Sequence, residues 1–160
     1  MSSIVTQLKE AGQDFEFYPT TNEIIAALVK DIRHLRVGVN HHDYRREYKS
    51  ILDIGAGNGK VLKAVCEQDD NIHSAYAIEK SPILCGQLPA SIFIVGTEFH
   101  EQSLISKSID LTFCNPPYSE FEDWAVKIIR ESSSHTVYLV IPDRWERSIE
   151  IAAALKYREA

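Results

Sequence analysis

Apolar positions along the chain change their period several times, and each change marks an element. Between residues 22 and 36 they fall at Ile24, Ile25, Leu28, Val29, Ile32 and Leu35. That stripe has helical spacing and predicts an amphipathic helix. Thr21 or Asn22 is placed to cap it through a side-chain oxygen, and Gly38 to end it. From residue 50 onward, short apolar runs alternate with amphipathic stretches. Strands are expected at 50–54, 73–79, 91–95, 109–114 and 136–141. Helices are expected at 60–67, in a short piece after Pro82, at 120–130 and at 144–157. Several of the runs are apolar on both faces, which requires a sheet covered on both sides. The predicted class is α/β: a doubly wound, mostly parallel sheet with helices on both faces.

Sheets of this kind bind ligands outside the carboxyl ends of their strands. Gly55, Glu79, Gly96 and Asn115 all fall at or just after predicted strand ends, so the candidate chemistry gathers at one rim.

The first candidate is the turn Asp53-Ile54-Gly55-Ala56-Gly57-Asn58-Gly59-Lys60. Its glycines allow a sharp bend and a close approach of ligand to backbone, and the helix that follows adds partial positive charge. Three cofactors compete for it. A nucleoside triphosphate loop needs four residues between its glycines and a hydroxyl after the lysine; here three residues separate Gly55 from Gly59 and Val61 follows Lys60. A dinucleotide turn needs Gly-x-Gly-x-x-Gly, and Lys60 occupies the last position. S-adenosylmethionine carries no pyrophosphate and needs neither pattern. Asp53 is placed to receive its ammonium end, and Glu79 to accept a hydrogen bond from its ribose.

The second candidate is Asn115-Pro116-Pro117-Tyr118. An exocyclic amine on a ring is a weak nucleophile because its lone pair is delocalised. The Asn115 side-chain oxygen and the Pro116 carbonyl can each accept one N–H, which favours a pyramidal nitrogen. Pro116 and Pro117 stiffen the bend, and preorganised acceptors avoid reorganisation during reaction. Tyr118 can stack on a planar ring.

Composition narrows the setting. The chain has 160 residues, 44 % of them apolar, enough for one domain with one core. No apolar run is long enough for a membrane span and the N-terminus lacks a signal-peptide pattern, so a cytoplasmic location is expected. Cys66, Cys85 and Cys114 form no disulfide framework, and Cys114 reads as a buried strand thiol. A net charge of −6 argues against a broad nucleic-acid surface. Arg33, Arg36, Arg45, Arg46 and Lys49 still form a local basic cluster, read mainly as solvated surface. His41-His42 reads as a polar loop and no metal site is expected. Asp143 and Arg144 either touch substrate from the active rim or cap the last helix; the cap is the expected role.

The two turns together resemble those of class I S-adenosylmethionine-dependent methyltransferases of the amino-methylating type. The chain is similar to DNA adenine-N6 methyltransferases and to small prophage-type methyltransferases. Phe17-Tyr18-Pro19-Thr20-Thr21 resembles the segment that precedes the first strand there and closes over the methionine end of the cofactor. The resemblance implies a Rossmann-like fold with residues 1–49 as an N-terminal helical extension and 50–160 as the core. It implies Asn115, Pro116, Pro117 and Tyr118 as catalytic, and Tyr18, Pro19, Thr20, Asp53, Gly55, Ala56, Gly57, Glu79, Glu98 and Asn115 as cofactor-binding. Glu98, or Thr97, would meet the adenine, with Ile78 and Ile83 as apolar walls. Phe121 and Trp124 would line a base pocket or face the core, the core being expected. The implied acceptor is a nucleic-acid base, adenine N6 in DNA, with RNA bases and a protein glutamine amide as alternatives. The family's sheet usually ends in a further two-strand hairpin, for which no segment follows Tyr157. A shortened chain, a partner subunit or domain supplying target recognition, or a non-catalytic binding subunit would each account for that.

Overall fold

The structure, a computed structural model, describes residues 3–13, 15–37 and 47–159. Gly38, the His41-His42 pair, Arg45 and Arg46 lie outside the described residues, as does the side chain of Arg36.

Five strands form one sheet: β1 (Ser50–Ile54), β2 (Ser74–Ile78), β3 (Ile92–Gly96), β4 (Leu111–Cys114) and β5 (Thr136–Leu139). Their order is β3-β2-β1-β4-β5 and every pairing is parallel. The doubly wound α/β expectation is met. Chain order reverses between β1 and β4, which is where such sheets open a crevice. Ile54 pairs with Cys114 in that register. Gly55 and Asn115, the next residue on each strand, therefore leave the sheet side by side, on strands about 4.8 Å apart.

The pleat explains why β1 carries apolar residues on both faces. Ile51 packs with α2 (Asn22–Val37) and α3 (Lys60–Gln68) on one face of the sheet. Leu52 and Ile54 pack with Phe99, Leu104 and Ile128 on the other. Ile128 belongs to α5 (Phe121–Glu131), whose outer side carries α6 (Ile149–Glu159) through Ile151 and Ala154. Truncating a fully buried side chain such as Ile51 to alanine would cost about 2–5 kcal/mol. Cys114 is fully buried, as expected of a strand thiol.

Boundaries moved where local chemistry competes with period. Thr21 caps α2, its hydroxyl accepting from Ile24 N at 3.4 Å. The closing helix begins at Ile149 rather than 144, because 143–147 form a 3-10 turn after Pro142. Ser148 supplies the cap, its hydroxyl accepting from Ile151 N at 3.0 Å, which corrects the role expected of Asp143 and Arg144. A first helix, α1 (Ile4–Glu10), and the short α4 (Pro82–Cys85) complete the helices that position the site. No periodic stripe in the sequence predicts α1. It buries only Leu8 and starts on Ser3, whose hydroxyl accepts from Thr6 N. So short a helix has little periodic signal and depends on tertiary contacts.

Candidate active site

A cleft of about 860 Å³, counting its open mouth, lies over the carboxyl ends of β1, β2 and β4. Its floor is the glycine turn. Gly55, Gly57 and Gly59 all have positive φ, at 77°, 57° and 78°, which is left-handed backbone that side chains resist. Space is also limiting at Gly57, where a Cβ would lie 2.6 Å from Cε2 of Phe17.

Two buried carboxylates stand beside this turn. Glu79 accepts from Gly57 N at 2.7 Å through Oε2 and from Ser81 N at 2.8 Å through Oε1. Burial nevertheless raises its pKa, against the effect of those backbone bonds. Each oxygen keeps a further lone pair for a ligand hydroxyl. Asp53 is 2 % exposed, and its Oδ1 has no hydrogen-bond partner among the described residues. Burial, and then the charge of Glu79, push its pKa up to about 8. A buried carboxyl with an unmet acceptor is costly unless a cationic or hydrogen-bonding ligand meets it.

The opposite wall is a strap, residues 15–20, that precedes α2. Gln13 Oε1 accepts from Ser81 Oγ at 2.8 Å, tying the segment after α1 to the start of α4. Phe15 and Glu16 adopt positive φ, at 40° and 54°, at about 1–3 kcal/mol each. Contacts beyond the strap hold them there. Lys80 lies over the Phe15 ring at 5.1 Å, and Glu16 accepts from both the backbone N and the hydroxyl of Ser119. Those bonds hold the Glu16 carboxyl below its ordinary pKa. Phe17 covers Gly57. Lys60 Nζ donates to Thr20 O at 2.8 Å.

The strap also sets the orientation of Asn115. Its Nδ2 donates to Tyr18 O and to Thr20 Oγ1, each at 3.3 Å. Oδ1 makes no hydrogen bond among the described residues, so the amide keeps its acceptor for a ligand. Tyr118 stands at the mouth, 48 % exposed, edge-on to Tyr18 with ring centroids 6.2 Å apart.

Tyr18, Pro19, Thr20, Asp53, Gly55, Ala56, Gly57, Glu79, Glu98, Asn115 and Pro117 all line this one cleft. Pro116 is buried behind it and Tyr118 sits on its rim. Thr97 and Ile78 line it too. Ile83 does not; Leu84, the next residue on α4, takes that place. Glu98 is held by Lys80 at 2.8 Å, which lowers its pKa. Phe121 is buried against α6, as expected. Trp124 does both things asked of it. It packs on Phe99 with centroids 4.4 Å apart and also lines the cleft beside Gly55. Gln13, Phe15, Glu16 and Lys60 were not expected at the site, whereas Phe17 was, as part of the segment that closes over the cofactor. The one available signal was the aromatic cluster preceding Pro19. Among the described residues no cluster could hold a metal ion, and no helix is long and apolar enough to cross a membrane.

Neither a protein-family model nor a curated protein sequence matches the chain. Solved structures do. The plantazolicin methyltransferase BpumL, in complex with a triazolic desmethylPZN analog and SAH, matches with a TM-score of 0.59 at 16 % identity, over 97 % of this chain and 61 % of that one. Precorrin-6y C5,15-methyltransferase from Geobacter metallireducens matches with a TM-score of 0.58 at 18 % identity, over 89 % and 78 %. The fold is that of the methyltransferases. A candidate RNA methyltransferase from Pyrococcus horikoshii agrees, with a TM-score of 0.59 at 15 % identity over 83 % and 67 %. At such identities the methyltransferase likeness is one of fold, and the chain spans less than two thirds of the plantazolicin enzyme's length.

Proposed function

We propose that this protein is an S-adenosylmethionine-dependent N-methyltransferase acting on the exocyclic amine of a nucleic-acid base, adenine N6 in DNA. The observation that carries the reading is that Gly55 and Asn115 directly follow the paired ends of adjacent strands, Ile54 and Cys114, with the Asn115 acceptor kept unbonded beside a glycine turn.

The cofactor fits the residues present. Asp53 offers a buried, unmet acceptor to an ammonium group, and Gly57 keeps the floor of the cleft bare of side chain, on left-handed backbone beneath Phe17. Glu79 retains lone pairs for a ribose diol. Ile78, Glu98, Phe99 and Trp124 provide the walls of an adenine pocket. Bound there, the cofactor supplies an electrophilic methyl group on a sulfonium. The remaining work belongs to the chain. Asn115 Oδ1 and the Pro116 carbonyl accept the two amine hydrogens, and Tyr118 offers its exposed ring to the base. Positioning of this kind contributes on the order of 7–11 kcal/mol in favourable cases. A base within a duplex must first leave the stack.

The structural neighbours act on different acceptors, so the choice of amine rests on the Asn-Pro-Pro-Tyr turn. The net charge of −6 favours one alternative, a protein glutamine amide. Tritiated-methyl transfer measured side by side on DNA, RNA and protein lysates tests the reading, with N6-methyladenine expected in the DNA digest. Asn115→Ala should lower turnover about 10²–10³-fold, the range for losing one preorganised polar contact, with cofactor affinity within about tenfold of wild type. Undiminished turnover in that variant would remove Asn115 from the reaction.

A further inference from the structure

Arg144 lies just beyond β5, in the 3-10 turn Asp143–Arg147, and reaches the catalytic turn. Its Nη2 donates to Tyr118 O at 3.0 Å and its guanidinium lies 4.8 Å from the centre of the Phe121 ring. Both partners are uncharged, and the residue is exposed. No ion pair among the described residues includes it. Other cations of the cleft are occupied differently: Lys80 is paired with Glu98, and Lys60 is bonded to Thr20 O. Arg144 is thus a guanidinium held in place from two sides, with its charge unmatched and most of its five N–H groups unspent. It is bonded to the backbone of the residue that carries the one exposed aromatic ring of the catalytic turn. A planar fork of this kind suits a phosphate.

We propose that Arg144 binds the phosphate of the acceptor nucleotide, while Tyr118 stacks on its base. The inference deepens the nucleic-acid reading and rests on it. It also accounts for the acidic balance of the protein. Glu16, Glu120 and Asp143 share this part of the surface, so a long duplex track of phosphates would be repelled. A single strand presenting one nucleotide needs one phosphate contact. The acceptor is therefore a nucleotide in single-stranded nucleic acid, read through a small footprint.

The test compares wild type with Arg144→Gln, whose amide retains a donor for Tyr118 O and loses the charge. Binding of a fluorescent single-stranded oligonucleotide containing adenine is followed by anisotropy across a salt series, with cofactor affinity measured by calorimetry on the same preparations. One phosphate contact on a single strand contributes about 0.7 to the slope of log K against log salt. The wild-type slope should be about 1 in magnitude, and Arg144→Gln should lose most of it. Oligonucleotide affinity at low salt should fall about tenfold, with cofactor affinity retained. Equal slopes in the two proteins overturn the role of Arg144 and leave the acceptor reading standing. Wild-type protein that binds cofactor but neither binds nor methylates the oligonucleotide overturns both. A wild-type slope of several units, or preference for duplex, overturns the small footprint.

Discussion

The two bends that meet across the cleft are built in opposite ways. The turn after β1 takes three left-handed glycines and two buried carboxylates, and it lies under Phe17. The turn after β4 takes two prolines and no left-handed residue, and its tyrosine is half exposed. One side stores an unmet polar demand inside the protein, and the other presents a stiff edge to solvent. The first arrangement suits a ligand that is always the same, since buried polar groups discriminate strongly. The second suits an acceptor that differs among proteins sharing a fold. That division agrees with neighbours named for plantazolicin, a precorrin and RNA on one architecture.

The contrast is broken most severely at Gly57. Gly57→Arg places a side chain where Phe17 already lies, on backbone that resists it. Cofactor affinity should fall about 100-fold or more, read by calorimetry, while a thermal melt confirms that the sheet remains folded. Affinity near wild type would mean that the turn is not the floor of the cofactor site.

Asp53 sharpens the buried side through pH. Its carboxyl ionises near pH 8 when folded and near pH 4 in an unfolded chain. The folded form keeps a proton that the unfolded form has lost, so this contribution to stability is full below about pH 4 and is lost as pH rises to about 8. Protein without cofactor should melt several degrees lower at pH 8 than at pH 5. Asp53→Asn should remove part of that fall, the remainder coming from Glu79, whose pKa burial also raises. An identical pH profile in Asp53→Asn would contradict the assigned shift.

The smallest effect is expected where the strap serves the exposed side. Thr20→Val removes one acceptor from Asn115 Nδ2 and leaves that of Tyr18 O. Loss of one neutral hydrogen bond, about 1 kcal/mol, predicts a fall in turnover of about three- to tenfold. Thr20→Ser should restore it. A change confined to the cofactor KM would place Thr20 on the cofactor instead of on Asn115.

Much of this site was legible because strand ends and special turns announce themselves locally. Gly55, Gly57, Glu79 and Asn115 were found from position alone, each next to a run whose period marks a strand. The strap was not. Glu16 meets Ser119, 103 residues away, and Tyr18 meets Asn115, 97 residues away. No local pattern encodes such pairs. Trp124 stayed ambiguous because one helical stripe serves both the core and the cleft.

The order of residues by itself determined the alternation of strands and helices, the parallel sheet and the two bends at its rim. Those follow from periodicity and from the torsional limits of glycine and proline, which act over a few neighbouring residues. Tertiary structure alone decided that the bends stand on adjacent strands, that the strap holds the Asn115 amide with its oxygen unspent, and that Arg144 reaches Tyr118. Each of these joins segments far apart in the chain, and their proximity is a property of the packed sheet rather than of any local stretch.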